Sequence, residues 1–321
     1  MKLRTESAQL ILEAALKKGL EVKIISRHFN LFKLSYKGRS LFIKGTSFPV
    51  NPQPACFIAN NKYLTERILR SCNIPVPKSW LVRTPSQARK TVVANNLFPC
   101  VLKPIKGGHG EKVYVNIESL EEFNETLPHI FTGKGKKNVL LEEYVKGRDY
   151  RLLVIGEKVY ATMERIPAHV IGDGESNIRE LIKKFNQNPM VGKKYEKPLC
   201  RIRINGEVKR NLKKLGRKMT DTPKKEERVF LRQNANISTG GIGRDVTSQV
   251  NGELKKTAIR AAKAIGMVIT GVDIIYDKQS EKLHVLELND CPGIDIHHFP
   301  AMGKSQQVAS DIVEFLFKDR S

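Results

Sequence analysis

Three stretches of this chain carry residue types whose spacing could do chemistry. In Val101-Leu102-Lys103-Pro104-Ile105-Lys106-Gly107-Gly108-His109-Gly110, an apolar run leads through a lysine into closely spaced glycines. Glycines after a strand let backbone N–H groups approach phosphate oxygens, and Lys103 at the strand end can add a charge-assisted contact. No Gly-Lys-Ser/Thr opens a following helix, so the loop is not a Walker A motif, and a ligand-free hairpin turn is the competing explanation. From Leu140 to Arg151, the paired acids Glu142 and Glu143 precede Tyr144, Val145 and a turn to Asp149. Backbone groups near Tyr144 and Val145 could meet a nucleobase edge, and a carboxylate could meet ribose hydroxyls. An ordinary solvated turn is the alternative there.

The third stretch is Val285-Leu286-Glu287-Leu288-Asn289, preceded by Gly271-Val272-Asp273-Ile274-Ile275. Strand alternation puts Glu287 and Asn289 on one face and Leu286 and Leu288 on the other. If the two strands pair, Asp273, Glu287 and Asn289 bring three oxygen donors together in an apolar sheet. Buried carboxylates need a cationic partner, and oxygen-only ligands near a phosphate loop suit Mg²⁺. A salt bridge to a lysine would serve the same need.

These segments require a frame. Helical spacing over 6–18, a strand at 22–25 and a hairpin over 31–43 turning at Lys37-Gly38 make a small first unit. Residues 44–60, rich in Gly, Pro, Ser and Asn, read as a linker, and 61–71 as a short helix. Strands at 79–83, 99–104, 112–116 and 139–144 alternate with helices at 85–95 and 120–130, which predicts an α+β unit. Beyond Arg151 strands dominate, with a hairpin at Gly156-Glu157, helices at 178–186, 253–265 and 307–317, and strands at 271–276 and 283–289. The polar, basic stretch 187–228 reads as irregular.

At 321 residues the chain exceeds one simple domain, and no apolar run approaches the roughly 18–20 residues of a membrane span. Five scattered cysteines without metal spacing suit a reducing, cytoplasmic setting. Lysine and arginine outnumber acids 56 to 33, for a net charge of +23. Such a field attracts nucleotides and acidic small molecules. No aromatic platform is interleaved with the basic stretch, which disfavours a nucleic-acid partner.

Further motifs complete a pattern. They are Asn61-Lys62 before Ile74-Pro75-Val76-Pro77, Glu164-Arg165-Ile166-Pro167-Ala168 with Gly172-Asp173-Gly174, and 231–241 (LRQNANISTGG). Pro292-Gly293 and His297-His298-Phe299-Pro300 follow Asn289. In this order they resemble the ATP-grasp superfamily, most closely the ATP-grasp module of bifunctional bacterial glutathione synthetases, with cyanophycin synthetases next. The resemblance implies an α+β ATP-grasp fold of three parts: a small amino-terminal α/β unit (1–60), a central lid subdomain (61–150) and a carboxyl-terminal subdomain with the metal site (151–321).

The resemblance also implies site roles. Lys62 and Lys103 would contact ATP phosphates, and Gly107, Gly108, His109 and Gly110 would close over them. Glu142, Glu143, Tyr144 and Val145 would form the adenine hinge, with Asp149 at the ribose. Asp273, Glu287 and Asn289 would hold Mg²⁺, expected as two ions, with Mn²⁺ as a substitute. Arg165 and Arg232 would steady the transferred phosphoryl group, and Asn234, Asn236, Ser238, Thr239 and Gly240 would lie near the substrates. The implied activity is an ATP-dependent carboxylate–amine ligation through an acyl-phosphate, on a small acidic amino acid or γ-glutamyl peptide. Its partners would be a small-molecule acid and amine, with a homo-oligomer allowed and neither membrane nor nucleic acid involved. Alternatives are a ligase extending a peptide or protein terminus, and a non-catalytic nucleotide-binding or nucleic-acid-binding module. Relatives usually carry glycine where Lys112 stands, so closure of the glycine loop is expected to differ.

Overall fold

The computed structural model describes residues 2–107, 112–132, 137–192, 197 and 199–318. The chain opens on helix α1 (Glu6–Lys17) and the antiparallel strands β1 (Glu21–Ser26), β2 (Leu31–Tyr36) and β3 (Arg39–Lys44). Lys37 and Gly38 join β2 to β3 with φ of 47° and 78°, the handedness a two-residue hairpin needs. Phe32, Leu34 and Ile43 turn one face of this sheet onto Ile11 and Ala15 of α1.

The stretch expected as a linker contains helix α2 (Gln53–Ala59). Its composition hides it, because Pro52 and Pro54 look like breakers. Proline is nonetheless tolerated at a helix start, where its missing N–H has no partner to lose. Ala55 and Ala59, one turn apart, are the residues it buries. Helix α3 (Lys62–Ser71) follows, its first turn capped by Asn61, which accepts the Leu64 N–H at 3.3 Å.

The next unit runs β4 (Ser79–Val82), α4 (Pro85–Ala94), β5 (Cys100–Pro104), β6 (Tyr114–Ile117), α5 (Leu120–Ile130) and β7 (Val139–Glu143). Its antiparallel sheet has the order β4-β7-β5-β6, with Phe123 and Leu127 of α5 packed on Leu102, Ile117 and Leu141. The strand expected from 112 begins at Tyr114. Lys112 has a φ of 56°, in the left-handed region that glycine favours and outside the extended range of a regular strand.

The remainder runs β8 (Arg148–Ile155), β9 (Lys158–Ile166), β10 (His169–Ile171), α6 (Ile178–Asn186), β11 (Val191–Gly192), β12 (Leu199–Cys200), α7 (Gly206–Lys214) and β13 (Arg228–Phe230). A 3₁₀ turn (Ile237–Thr239), β14 (Ile242–Asp245), α8 (Gly252–Ile265), β15 (Ile269–Asp277), β16 (Lys282–Asn289), α9 (Asp295–His298) and α10 (Val308–Phe317) complete it. An antiparallel sheet in the order β14-β9-β8-β15-β16 forms its floor. Ala258, Ala261, Ala262 and Ile265 of α8 pack on Leu152, Val272 and Val285 beneath it. Helix α7 lies in the stretch expected to be irregular: its window is dominated by lysine and arginine, and only Val208 and Leu212 give it an apolar edge. Among the described residues no helix is long and apolar enough to cross a membrane.

Candidate active site

A cavity of about 480 Å³ lies between the four-stranded and five-stranded sheets. Lys62, Val101, Lys103, Glu142, Glu143, Tyr144 and Val145 line its upper side, and Asp149, Arg165, Asp273, Leu286 and Glu287 its floor. Antiparallel pairing sets Asp273 directly opposite Glu287 and Gly271 opposite Asn289. The register shifts between Asp273 and Ile274, so Leu286 is the extra residue of a bulge. Both Leu286 and Glu287 therefore reach the cavity, although simple alternation sends them to opposite faces.

Each carboxylate on this floor is held by a cation. Arg151 and Arg165 converge on Asp273, with Nη2 of each 2.8 Å from Oδ2. Arg165 also donates through Nε to Asp149 Oδ1 at 2.8 Å, and these two residues face each other across β8 and β9. Burial disfavours the Arg165 charge, but Asp149 and Asp273 more than restore it and raise its pKa. Burial pushes the Asp149 carboxyl up against the pull of Arg165. Glu287 Oε2 lies 2.9 Å from Lys62 Nζ. Burial would raise the Glu287 carboxyl, yet Lys62, Arg151 and Lys103 outweigh it and hold it down at about 2.

Lys62 also donates to the Gly107 carbonyl at 2.9 Å, fixing the start of the glycine loop to α3. Gly108, His109 and Gly110 lie outside the described residues. Lys103, 5 % exposed, stands 2.6 Å from Glu142 Oε1 and 3.6 Å from Glu66 Oε1. Burial disfavours its charge, and the two carboxyls restore it. Glu66 is pushed up to about 9, by burial first and then by Glu142 beside it. Along the upper wall the N–H groups of Glu143 and Tyr144 are engaged by the Lys78 and Pro99 carbonyls at 3.0 and 3.1 Å. The Val145 N–H has no hydrogen-bond partner among the described residues.

Asn234 and Asn236 line the cavity, whereas Arg232, Ser238, Thr239, Gly240 and Asn289 stand outside its lining. Arg232 is 4 % exposed and its guanidinium is ion-paired with Glu207. Asn289 donates through Nδ2 to the Gly271 carbonyl at 3.1 Å. The loop carrying Thr239 and Gly240 is packed tightly: Gly240 has a φ of 99°, and a Cβ on Gly241 would stand within 3.0 Å of three backbone carbonyl oxygens. His297 and His298 are buried outside the cavity lining. Burial pushes them down to about 3 and 4, and His298 Nε2 accepts the Ala309 N–H at 3.1 Å.

The sequence reading missed several site groups. Arg151 is two residues beyond Asp149 on β8, a spacing that puts both on one face. Glu66 is one helical turn beyond Lys62. Glu164, gripped by Arg244 through Nε at 3.0 Å, lines the cavity beside Arg148 and Arg228. Among the described residues Arg228 makes no ion pair. No periodicity announces it, because β13 is three residues long.

Against known proteins, residues 59–195 and 228–315 match the model of the RimK-like ATP-grasp domain. Over 319 residues the chain is 34% identical to a glutathione biosynthesis bifunctional protein of Clostridium perfringens, covering 97% of this chain and 41% of that protein. A cyanophycin synthetase of Geminocystis herdmanii is 35% identical over 267 residues, covering 82% of this chain and 30% of the relative. The chain thus spans between about a third and two fifths of the length of these curated relatives. The crystal structure of a bifunctional glutathione synthetase from Pasteurella multocida superposes with a TM-score of 0.70 at 28% identity, over 98% of this chain and 43% of that one. A D-alanine–D-alanine ligase from Bacillus anthracis shares the fold with a TM-score of 0.52 at 16% identity, over 84% of this chain and 69% of that one.

Proposed function

The chain belongs to the RimK-like ATP-grasp family, and from that premise we propose that it is an ATP-dependent carboxylate–amine ligase acting on a small acidic amino acid or γ-glutamyl peptide. The observation that carries this reading is that Lys62, Lys103, Val145, Asp273 and Glu287 meet in one cavity. In this reading the Val145 N–H meets the adenine edge, Asp149 the ribose, and Lys62 and Lys103 the phosphates. ATP-grasp ligases use ATP with a divalent metal. Asp273 and Glu287, hard oxygen donors opposite each other and each already holding positive charge, fit such an ion, with Asn289 farther along β16. We assign it as Mg²⁺, as one or two ions, replaceable by Mn²⁺; it would neutralise phosphate charge and polarise the transferred group.

The chain's own residues supply the rest. The acid's carboxylate oxygen attacks the γ-phosphorus of ATP, and ADP departs as an acyl-phosphate forms. Lys62, Lys103 and Arg165 neutralise charge that spreads over the transferred oxygens. The amine then attacks the acyl carbon, phosphate leaves with the bonding pair, and the nitrogen sheds its proton to give the amide. The two sheets and the segment from Gln233 to Asn236 close around the cavity and keep water from the acyl-phosphate. Arg228, at the cavity wall and without an ion-pair partner among the described residues, suits an anionic group on the acid.

Phosphate release from MgATP with candidate acids and amines supplied in pairs tests the proposal. Release that needs both members of one pair is the expected result. Release independent of any amine, or none across amino acids and γ-glutamyl peptides while ATP still raises Tm, would overturn the ligase assignment.

A further inference from the structure

Helix α7 touches both sides of the cavity without lining it. In its first turn Glu207 is ion-paired with Arg232 and accepts Asn234 Nδ2 at 2.7 Å. In its last turn Lys214 Nζ stands 2.8 Å from Glu122 of α5 and donates to the Asn116 carbonyl of β6 at 2.5 Å. Between them the Arg210 guanidinium lies 5.0 Å from the Tyr114 ring centroid, again on β6. Asn211 Nδ2 donates to the Phe230 carbonyl at 2.9 Å, which fixes the helix to the strand leading into Arg232. From Glu207 to Lys214 the helix rises about 10 Å, so one stiff rod spans from the four-stranded unit to the arginine.

Arg232 is not at rest in a fully satisfied site. Among the described residues its buried Nε has no hydrogen-bond partner, and neither does Oε1 of Gln233, the next residue and part of the cavity wall. Its Nη1 is meanwhile occupied by Glu207 rather than turned into the cavity.

We propose that Glu207 and Lys214 are positioning residues: α7 is a strut through which the four-stranded unit sets the orientation of Arg232. The proposal rests on the nucleotide-binding reading given above. When nucleotide draws the four-stranded unit toward the floor, Lys214 and Arg210 carry that motion to Glu207. Asn211 carries it to the backbone ahead of Arg232. A guanidinium aimed by this rod reaches the transferred phosphoryl group only when nucleotide is in place, which limits loss of acyl-phosphate to water.

Hydrogen–deuterium exchange of the full chain with and without saturating Mg·AMPPNP tests this. In the wild type, nucleotide should slow exchange by about tenfold both at 100–107 and 139–145 and at 228–241. Lys214→Met and Glu122→Gln break the same contact from opposite sides, so a folding failure in one leaves the other informative. Each should retain protection at 100–107 and 139–145 and lose it at 228–241. Wild-type protection confined to the first two segments would overturn the strut while leaving nucleotide binding intact. Equal protection of all three segments in wild type and variants would show that coupling bypasses α7, which also overturns it. Absence of protection everywhere would remove the nucleotide reading and the strut together.

Discussion

Glu66→Gln should make the protein more stable than the wild type at pH 6 and above, by a margin that widens steadily from pH 6 to pH 8. Glu66 and Glu142 are 1 % and 2 % exposed, and they share the single cation Lys103. Oε1 of Glu142 faces Lys103 Nζ at 2.6 Å, Oε1 of Glu66 has no hydrogen-bond partner among the described residues, and a proton held between the two carboxyls links them. The folded-state pKa of Glu66 is about 9, against 4.5 when unperturbed, with burial the larger cause and Glu142 the second. A raised carboxyl stabilises the fold fully below the unfolded value, and that stability drains away as pH climbs toward the folded value. Between pH 6 and 8 the folded chain holds one proton more than the unfolded chain, so stability falls by about 1.4 kcal/mol per pH unit, or about 2–3 kcal/mol in all. Glutamine keeps the shape and an N–H donor for Glu142 but has no proton to lose. Thermal melts of both proteins at pH 6, 7 and 8 should therefore diverge, the Tm gap widening by about 5 °C from pH 6 to pH 8. Parallel melting across that range would mean that Glu66 is ionised throughout, and the neutral Lys103–Glu142–Glu66 cluster would have to be abandoned.

Glu287→Ala should abolish the Mg²⁺-dependent part of nucleotide binding, read by calorimetry with MgATP against ATP in chelator, while far-UV circular dichroism stays native; full Mg²⁺-dependent affinity would refute the metal assignment. Gly241→Ala should cost about 1–3 kcal/mol in urea melts, because the added Cβ meets the carbonyl oxygens of Asn236, Ala235 and Ile166 within 3.0 Å and backbone atoms cannot swing aside. An unchanged urea midpoint would show that the 235–241 loop is looser than its packing indicates.

The strand–helix alternation of the four-stranded unit was readable because each element buries one face on a single core, and apolar spacing records that directly. The same logic failed at Gln53–Ala59 and Gly206–Lys214, for opposite reasons. The first has prolines at its start, where they are harmless, and buries only two alanines. The second has only Val208 and Leu212 as an apolar edge and is otherwise tied to its neighbours by ion pairs and a cation–π contact, whose partners charge patterns do not reveal. The bulge at Leu286 was also hidden, since strand alternation assumes a constant register.

For the site, local motifs located groups but not their pairings. Asp273 and Glu287 stand out as acids within apolar strands, yet that Arg151 and Arg165 claim the first and Lys62 the second follows only from sheet order and the placement of α3. The overall charge of +23 was least informative of all. Lys62, Lys103, Arg148, Arg165, Arg228 and Arg244 line the cavity against Glu142, Glu143, Asp149, Glu164, Asp273 and Glu287, six cations to six acids. The surplus lies on the outer surface, where it can draw anions in from a distance but cannot by itself select one. Selection then falls to exchange within a balanced set: a ligand carrying both phosphates and a bound cation can take over the partners of lysines and carboxylates together. A bare anion would free the carboxylates without replacing their cations, and a bare cation would do the reverse. On electrostatic grounds alone, the site of this chain suits a nucleotide that arrives with its metal.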